Sequence, residues 1–177
     1  MDLAKFLESM FQPSNEIFIV YLIFIYSSLA EMSFIDIFVY MVALIGTPIS
    51  YNIMIRKVKR KNRGALIALV VTTLFFALLS SMFSSLRNLK FLYLSTYTFL
   101  ILVFLAFTIR LKWKISLHVS VLTASITILT IFNQVFYLAY LLVPLIVWSR
   151  IKLKAHNLYQ TIAGFILGIL VPLIFFI

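Results

Sequence analysis

Apolar residues run through this chain in long stretches that are separated by short polar or basic segments. Stretches of this length predict helices that cross a bilayer, whose hydrocarbon core takes about 20 residues of helix. The predicted spans cover residues 16–31, 34–54, 65–84, 91–109, 115–132, 135–149 and 157–177. The pattern therefore indicates an all-α protein, a polytopic transmembrane helical bundle with about six or seven spans.

The fifth and sixth apolar stretches lie close together, and their length requires a break between them. One helix over residues 115–149 would reach roughly 50 Å at about 1.5 Å per residue, well beyond the thickness of the hydrocarbon core. We therefore predict a hairpin that turns near Asn133 and Gln134. The whole chain is expected to form a single integral membrane domain, with N-terminal helices at 1–54 and a core at 55–177.

The composition supports a membrane protein and excludes several kinds of chemistry. Hydrophobic residues make up 64% of the chain and charged residues 11%, which is not the balance of a soluble domain. Cysteine is absent, so disulfides, thiolate nucleophiles and Cys-ligated metals are excluded. The first residues lack a positive start followed by a small-residue cleavage site, so no removable signal peptide is expected. All five carboxylates lie in the first 36 residues: Asp2, Glu8, Glu16, Glu31 and Asp36.

Basic residues are concentrated in three short segments, 56–63, 110–114 and 150–154, which hold twelve of the fifteen Lys and Arg. Two predicted spans separate each segment from the next, so all three are expected on one face of the membrane. With a net charge of +10, that face attracts anions. The positive-inside rule alone would explain these loops and would place them in the cytoplasm.

The chain has only two histidines, and each follows one of the basic segments. His118 comes after residues 110–114, and His156 comes after residues 150–154. A solitary histidine in a membrane protein is usually a hydrogen-bonding partner in helix packing. Two histidines at span boundaries, beside cations on one face, favour a role in chemistry.

Three short motifs resemble the signatures of the type 2 phosphatidic acid phosphatase family. Residues 149–160, SRIKLKAHNLYQ, resemble the third signature, a Ser-Arg pair followed after five residues by His156. Gln160 follows after three intervening residues, at the position where the family usually has Asp. Residues 115–118, ISLH, resemble the second signature, and residues 56–64 loosely match the first. The resemblance extends from residue 56 to about residue 168.

The resemblance implies a metal-independent phosphatase with its active site on the basic face. His156 would be the nucleophile that forms a phosphohistidine, and His118 would be the general acid that protonates the leaving group. Arginine side chains would hold the phosphoryl oxygens, because a guanidinium donates two parallel hydrogen bonds. No metal or other cofactor is expected. The implied phosphate-binding residues are Arg56, Arg63, Lys114, Ser116, Leu117 through its backbone N–H, Ser149 and Arg150.

Gln160 is the main departure from the family pattern. It lies one helical turn after His156, so its carbonyl oxygen can accept the imidazole N–H without the negative charge that an Asp supplies. We expect no nearby carboxylate to compensate, because Glu31 and Asp36 are predicted to lie on the opposite face. Sequences with Gln at this place look like a branch of the family. An interhelical hydrogen bond is the alternative role for this side chain.

The implied substrate is a membrane lipid that ends in phosphate. A polyprenyl diphosphate, dolichyl-like or undecaprenyl-like, is preferred over phosphatidate or phosphatidylglycerophosphate. A non-catalytic lipid-binding protein or an anionic-lipid transporter would use the same cations. No nucleic-acid partner is expected, and the chain is predicted to act as a monomer or homodimer. Family members usually carry this site on the external or lumenal side, whereas the basic loops favour the cytoplasmic side.

Gly164 and Gly168 form a Gly-x-x-x-Gly step in the last predicted span. Because these residues have no side chain, another helix can approach closely at this point. We expect that helix to belong to the same bundle, with dimerisation as the alternative.

Overall fold

The structure, a computed structural model, describes residues 2–28, 34, 90–110 and 112–177. Helices and no strands are found in this part of the chain, which confirms the predicted all-α class for these residues. Apart from Phe34, the predicted spans 34–54 and 65–84 lie outside the described residues. The helices are α1 (Leu3–Met10), α2 (Pro13–Ser28), α3 (Lys90–Arg110), α4 (Leu117–Phe132), a 3-10 helix (Gln134–Leu141), α5 (Leu142–Lys152) and α6 (Leu158–Phe176).

The predicted break between the fifth and sixth spans is confirmed. Helix α4 ends at Phe132, and Asn133 has extended backbone angles, with φ −150° and ψ 121°. The Asn133 side chain then accepts the Val135 N–H at 3.0 Å and caps the 3-10 helix. The 3-10 helix and α5 pack back against α4, so the chain reverses direction at this residue. The predicted span 135–149 is thus a 3-10 helix continued by α5.

The chain divides into two compact units, Met1–Val20 with Ile101–Ile177, and Tyr21–Leu100. In the second unit, the Tyr21 hydroxyl lies 2.7 Å from the Thr96 hydroxyl, and the two groups share a hydrogen bond. The first unit has a core in which residues from α4 and α5 are buried together, and α1 packs on this core through Leu7 and Phe11. The buried core residues are Val119, Leu122, Ile126, Val143 and Ile146.

Helix α1 was not predicted from the sequence. Asp2 begins it, because the Asp2 side chain accepts the Ala4 N–H at 3.1 Å in a typical N-cap. This hydrogen bond, with a smaller contribution from Lys152, lowers the pKa of the Asp2 carboxyl. Ala4 is fully buried, and the N-terminal 20 residues therefore belong to the same unit as the C-terminal helices.

Helices α4 and α6 pack closely at the two glycines of α6. A Cβ atom at Gly164 would lie 2.8 Å from the Ser116 carbonyl oxygen, and one at Gly168 would lie 2.5 Å from that of Ser120. Both distances are shorter than a carbon and an oxygen can approach, so only glycine fits. The expected close approach is confirmed, and α4 is the helix that makes it. This contact brings the N-terminal ends of α4 and α6 together.

Two stretches among the described residues, Gln134–Lys152 and Leu158–Phe176, are long and apolar enough to cross a membrane. Helix α4 buries hydroxyl groups of serine and threonine, whereas α6 exposes large apolar residues. Helices that pack in lipid typically carry apolar side chains on the outside of the bundle and small polar side chains at the contacts between helices. These features indicate association with a membrane. The exposed apolar residues of α6 recur every four positions, at Leu158, Ile162, Ile166, Leu170 and Ile174.

Candidate active site

The two histidines lie at the ends of neighbouring helices in the first unit. His118 is the second residue of α4, and His156 lies in the five-residue connection from α5 to α6. Arg150 and Glu8 of α1 lie close enough to His118 for their charges to interact with it. Residues from three helices, α1, α4 and α5, and from the connection that holds His156 therefore lie in this region.

The spacing between Arg150 and His156 is set by the turn that ends α5. The Ala155 N–H donates to the Arg150 carbonyl at 3.1 Å, and the Lys154 N–H donates to the Ile151 carbonyl at 2.9 Å. This pair of bonds is a Schellman motif, which requires a left-handed residue, and Lys154 supplies it with φ 51°. A lysine in this conformation costs about 1 kcal/mol. The His156 N–H also donates to the Arg150 carbonyl, at 3.3 Å, so the turn positions His156 beside the arginine.

Directly after His156, a capping box begins α6. The Asn157 side chain accepts the Gln160 N–H at 2.9 Å, and the Gln160 Oε1 accepts the Asn157 N–H at 3.2 Å. The sequence analysis did not identify this motif, although an Asn followed three residues later by Gln is its signal. His156 is therefore held between two backbone motifs, one on each side.

The capping box also determines which way the Gln160 amide faces. A backbone N–H only donates, so the atom that faces Asn157 must be the carbonyl oxygen Oε1. The same oxygen lies 3.1 Å from the His156 Nδ1, and a carbonyl oxygen has two lone pairs for two donors. On this ground we assign the proton to Nδ1, which gives Nε2 the lone pair that a nucleophile needs.

The backbone of Gln160 connects the two histidine segments. Its carbonyl oxygen accepts the Ser116 N–H at 3.2 Å, and Ser116 is the N-cap of α4, two residues before His118. The Gln160 side chain contacts His156 and Asn157 in its own segment, whereas the bond between the helices is made by the Gln160 backbone and not by the side chain.

Two of the predicted phosphate-binding residues have buried donors without partners among the residues that the structure describes. Arg150 is only 7% exposed, and its Nε has no hydrogen-bond partner. Ser116 is fully buried, and its Oγ is unpaired as well. An unpaired buried polar group costs about 1–3 kcal/mol, and a bound ligand is one of the explanations for such a group. Both donors fit a site for an anion.

The expectation that no carboxylate lies near the histidines is wrong. Glu8 forms an ion pair with the Arg150 Nη1 and interacts electrostatically with His118. Sequence reasoning missed it because helix α1 was not recognised. Asp2 at an N-cap followed by apolar residues 3, 6, 7 and 10 is the signal that would have predicted that helix.

The remaining predicted site residues have different placements. The Ser149 hydroxyl donates to the Ala4 carbonyl at 2.7 Å, so its proton stabilises the packing of α1 on α5. Lys114 is exposed in the segment before α4, and Leu117 is the first residue of α4, where backbone N–H groups favour an anion. Arg56 and Arg63 lie outside the described residues.

Within the described residues, no three His, Asp or Glu side chains lie close enough together to hold a metal ion. Comparison with protein-family models, curated proteins and solved structures finds no match to this chain.

Proposed function

We propose that this protein is an integral membrane lipid phosphatase that acts through a phosphohistidine on His156. The observation that carries this proposal is the double hydrogen bond at the Gln160 Oε1, which gives the His156 Nε2 its lone pair. The unpaired donors of Arg150 and Ser116, close in sequence to the two histidines, support it. The same residues carry the resemblance to the type 2 phosphatidic acid phosphatases.

In the proposed reaction, the Nε2 of His156 attacks phosphorus while the bond from phosphorus to the leaving oxygen breaks. His118 donates a proton to that oxygen, and the dephosphorylated lipid departs. Water then attacks phosphorus and gives a proton to His118, while the bond from phosphorus to the His156 Nε2 breaks and inorganic phosphate leaves. Arg150, Ser116 and the Leu117 N–H would stabilise the charge on the phosphoryl oxygens in both steps.

The proposed substrate is a lipid with a terminal phosphate, with a polyprenyl diphosphate as the preferred member of the class. Both histidines lie at helix ends, and the ends of spanning helices lie at the level of the lipid headgroups. Beyond the two candidate spans, the apolar stretches of the sequence support a multi-pass bundle of about six or seven helices, which is part of the proposal. The cationic loops favour a cytoplasmic site, and the family resemblance favours an external or lumenal one.

Phosphate release from lipid substrates by purified protein tests this proposal. We expect the detergent-solubilised protein to release phosphate from a panel of polyprenyl diphosphates, phosphatidate and phosphatidylglycerophosphate in the presence of EDTA. Vanadate is expected to inhibit, since it resembles the five-coordinate phosphorus of the transition state. Binding of these lipids without any phosphate release would instead support the non-catalytic lipid-binding function.

Replacing Gln160 tests the hydrogen bond on which the proposal depends. We expect Gln160→Met to lower kcat on the order of a hundredfold, because loss of tautomer control costs up to about 10⁴ in other histidine enzymes. Gln160→Glu reaches the same partners and adds a negative charge, so its rate is expected to match or exceed that of the wild type. Steady-state phosphate release measures the kcat of both variants.

Asn157→Ala is the matched control for the Gln160 variants. It removes the other half of the capping box, which costs about 1 kcal/mol of stability, and leaves the contact between Gln160 and His156 in place. Its kcat is expected to stay near the wild-type value. Equal losses of kcat in Asn157→Ala and Gln160→Met would show that Gln160 acts only as a helix cap.

A further inference from the structure

Arg150 is a buried cation that needs a negative partner. Its side chain is 8% exposed, and a guanidinium in such surroundings is strongly destabilised without a counter-ion. No carboxylate occurs between residue 37 and the end of the chain, so the partner must come from the N-terminal region. Glu8 of α1 provides it through the Arg150 Nη1.

Helix α1 is attached to the C-terminal part of α5 at three points. The Lys152 ammonium lies 3.3 Å from the Asp2 carboxylate, and the Ser149 hydroxyl donates to the Ala4 carbonyl at 2.7 Å. The ion pair of Glu8 with Arg150 is the third point. Leu7 packs on the core between these contacts, so α1 holds Glu8 at a fixed place.

The Glu8 carboxylate occupies only part of the donor capacity of Arg150. A guanidinium has five N–H donors in a rigid plane, and fixing one nitrogen fixes the directions of the others. The buried Nε has no partner in the described part of the chain, so its N–H is left to donate to a phosphoryl oxygen. One side chain can thus bind Glu8 and phosphate at once, through different nitrogens.

We infer that Glu8 is a positioning residue of the active site, which orients the Arg150 guanidinium toward the phosphoryl group. This inference rests on the proposed function. Glu8 touches no reacting atom, and it acts through Arg150 and through its electrostatic interaction with His118. The N-terminal helix is then a part of the catalytic unit.

Glu8→Gln tests the inference, because Gln keeps the shape and a hydrogen-bond acceptor but removes the charge. We expect kcat/KM for lipid phosphate hydrolysis to fall roughly tenfold to a hundredfold, the range of coupling between side chains in contact. Glu8→Asp keeps the charge on a shorter side chain and is expected to recover part of the loss. Asp2→Asn is the matched control, since it removes the exposed ion pair between the same two helices and should leave kcat/KM unchanged.

A double-mutant cycle separates positioning from a general effect on folding. In an Arg150→Lys background, which lacks the planar guanidinium, Glu8→Gln is expected to cause no further loss of kcat/KM. An equal loss in both backgrounds would overturn the inference and assign Glu8 a structural role. Wild-type or higher activity of Glu8→Gln would also overturn it, since the carboxylate would then have no effect on catalysis or would obstruct the site.

A second readout distinguishes failure of this inference from failure of the proposed function. The rise in thermal unfolding temperature on adding vanadate is measured for wild type, Glu8→Gln and Asp2→Asn, without any turnover. A smaller rise for Glu8→Gln alone supports the positioning role even if the wild type releases no phosphate. A wild type that neither releases phosphate nor responds to vanadate would overturn both.

Discussion

Replacing His156 with alanine is expected to abolish phosphate release from every lipid in the panel. The variant lacks the nitrogen that we propose attacks phosphorus, and removal of a catalytic nucleophile costs on the order of 10⁶ in kcat in a well-studied hydrolase. The fold should survive, because the His156 side chain is half-buried and the Schellman motif and the capping box use backbone atoms and other side chains. Phosphate release and the thermal unfolding temperature are measured on the same preparation.

His118→Ala is the matched comparison, because the two histidines have different proposed roles. Loss of a general acid is expected to lower kcat by about 10²–10⁴ on lipid substrates. With p-nitrophenyl phosphate, whose leaving group needs no proton, His118→Ala should recover most of its activity while His156→Ala should not. Labelled phosphate should also be trapped on wild type and His118→Ala, and not on His156→Ala. Substantial turnover by His156→Ala would rule out the phosphohistidine mechanism.

Long apolar runs were sufficient to predict the helices that the structure describes after α1, whereas α1 itself was missed. The runs at 91–109 and 157–177 correspond to Lys90–Arg110 and Leu158–Phe176, and a length argument placed the break at Asn133. The close contact at Gly164 and Gly168 was also predicted, because glycine at four-residue spacing has few other uses in an apolar helix. These features depend on local periodicity, which a single sequence displays.

The surroundings of the histidines depended on contacts that are distant in sequence. Glu8 and Arg150 are separated by 142 residues, so only the packing of α1 on α5 brings them together. The partner of Ser149 could not be predicted from the sequence for the same reason, because its hydroxyl donates a hydrogen bond to the distant carbonyl of Ala4. The role of Gln160 was partly predicted from its spacing, and the capping box then explained why its amide faces His156 with the oxygen. The periodicity of apolar residues predicts the helices, whereas the surroundings of the two histidines are determined by how those helices pack.

Gly168→Val is expected to cause the largest loss of stability of any variant proposed for this protein. A Cβ at this position would lie 2.5 Å from the Ser120 carbonyl oxygen and 2.7 Å from the Thr123 Cβ. Both neighbours belong to α4, and the oxygen is a backbone atom that cannot rotate away. Overpacking of this kind costs about 1–3 kcal/mol and occasionally more, and a branched side chain against backbone falls at the upper end.

The consequence of Gly168→Val for the site follows from the same geometry. Separating α6 from α4 would break the bond from the Ser116 N–H to the Gln160 carbonyl, which joins the two histidine segments. We therefore expect a lower thermal unfolding temperature together with lower phosphate release. Leu170→Val, which introduces the same side chain on the exposed face of α6, should change neither. A clash within one chain destabilises the monomer whether or not a second copy is present. If Gly168→Val instead altered the oligomeric state and left the unfolding temperature of the monomer unchanged, the glycines would serve dimerisation.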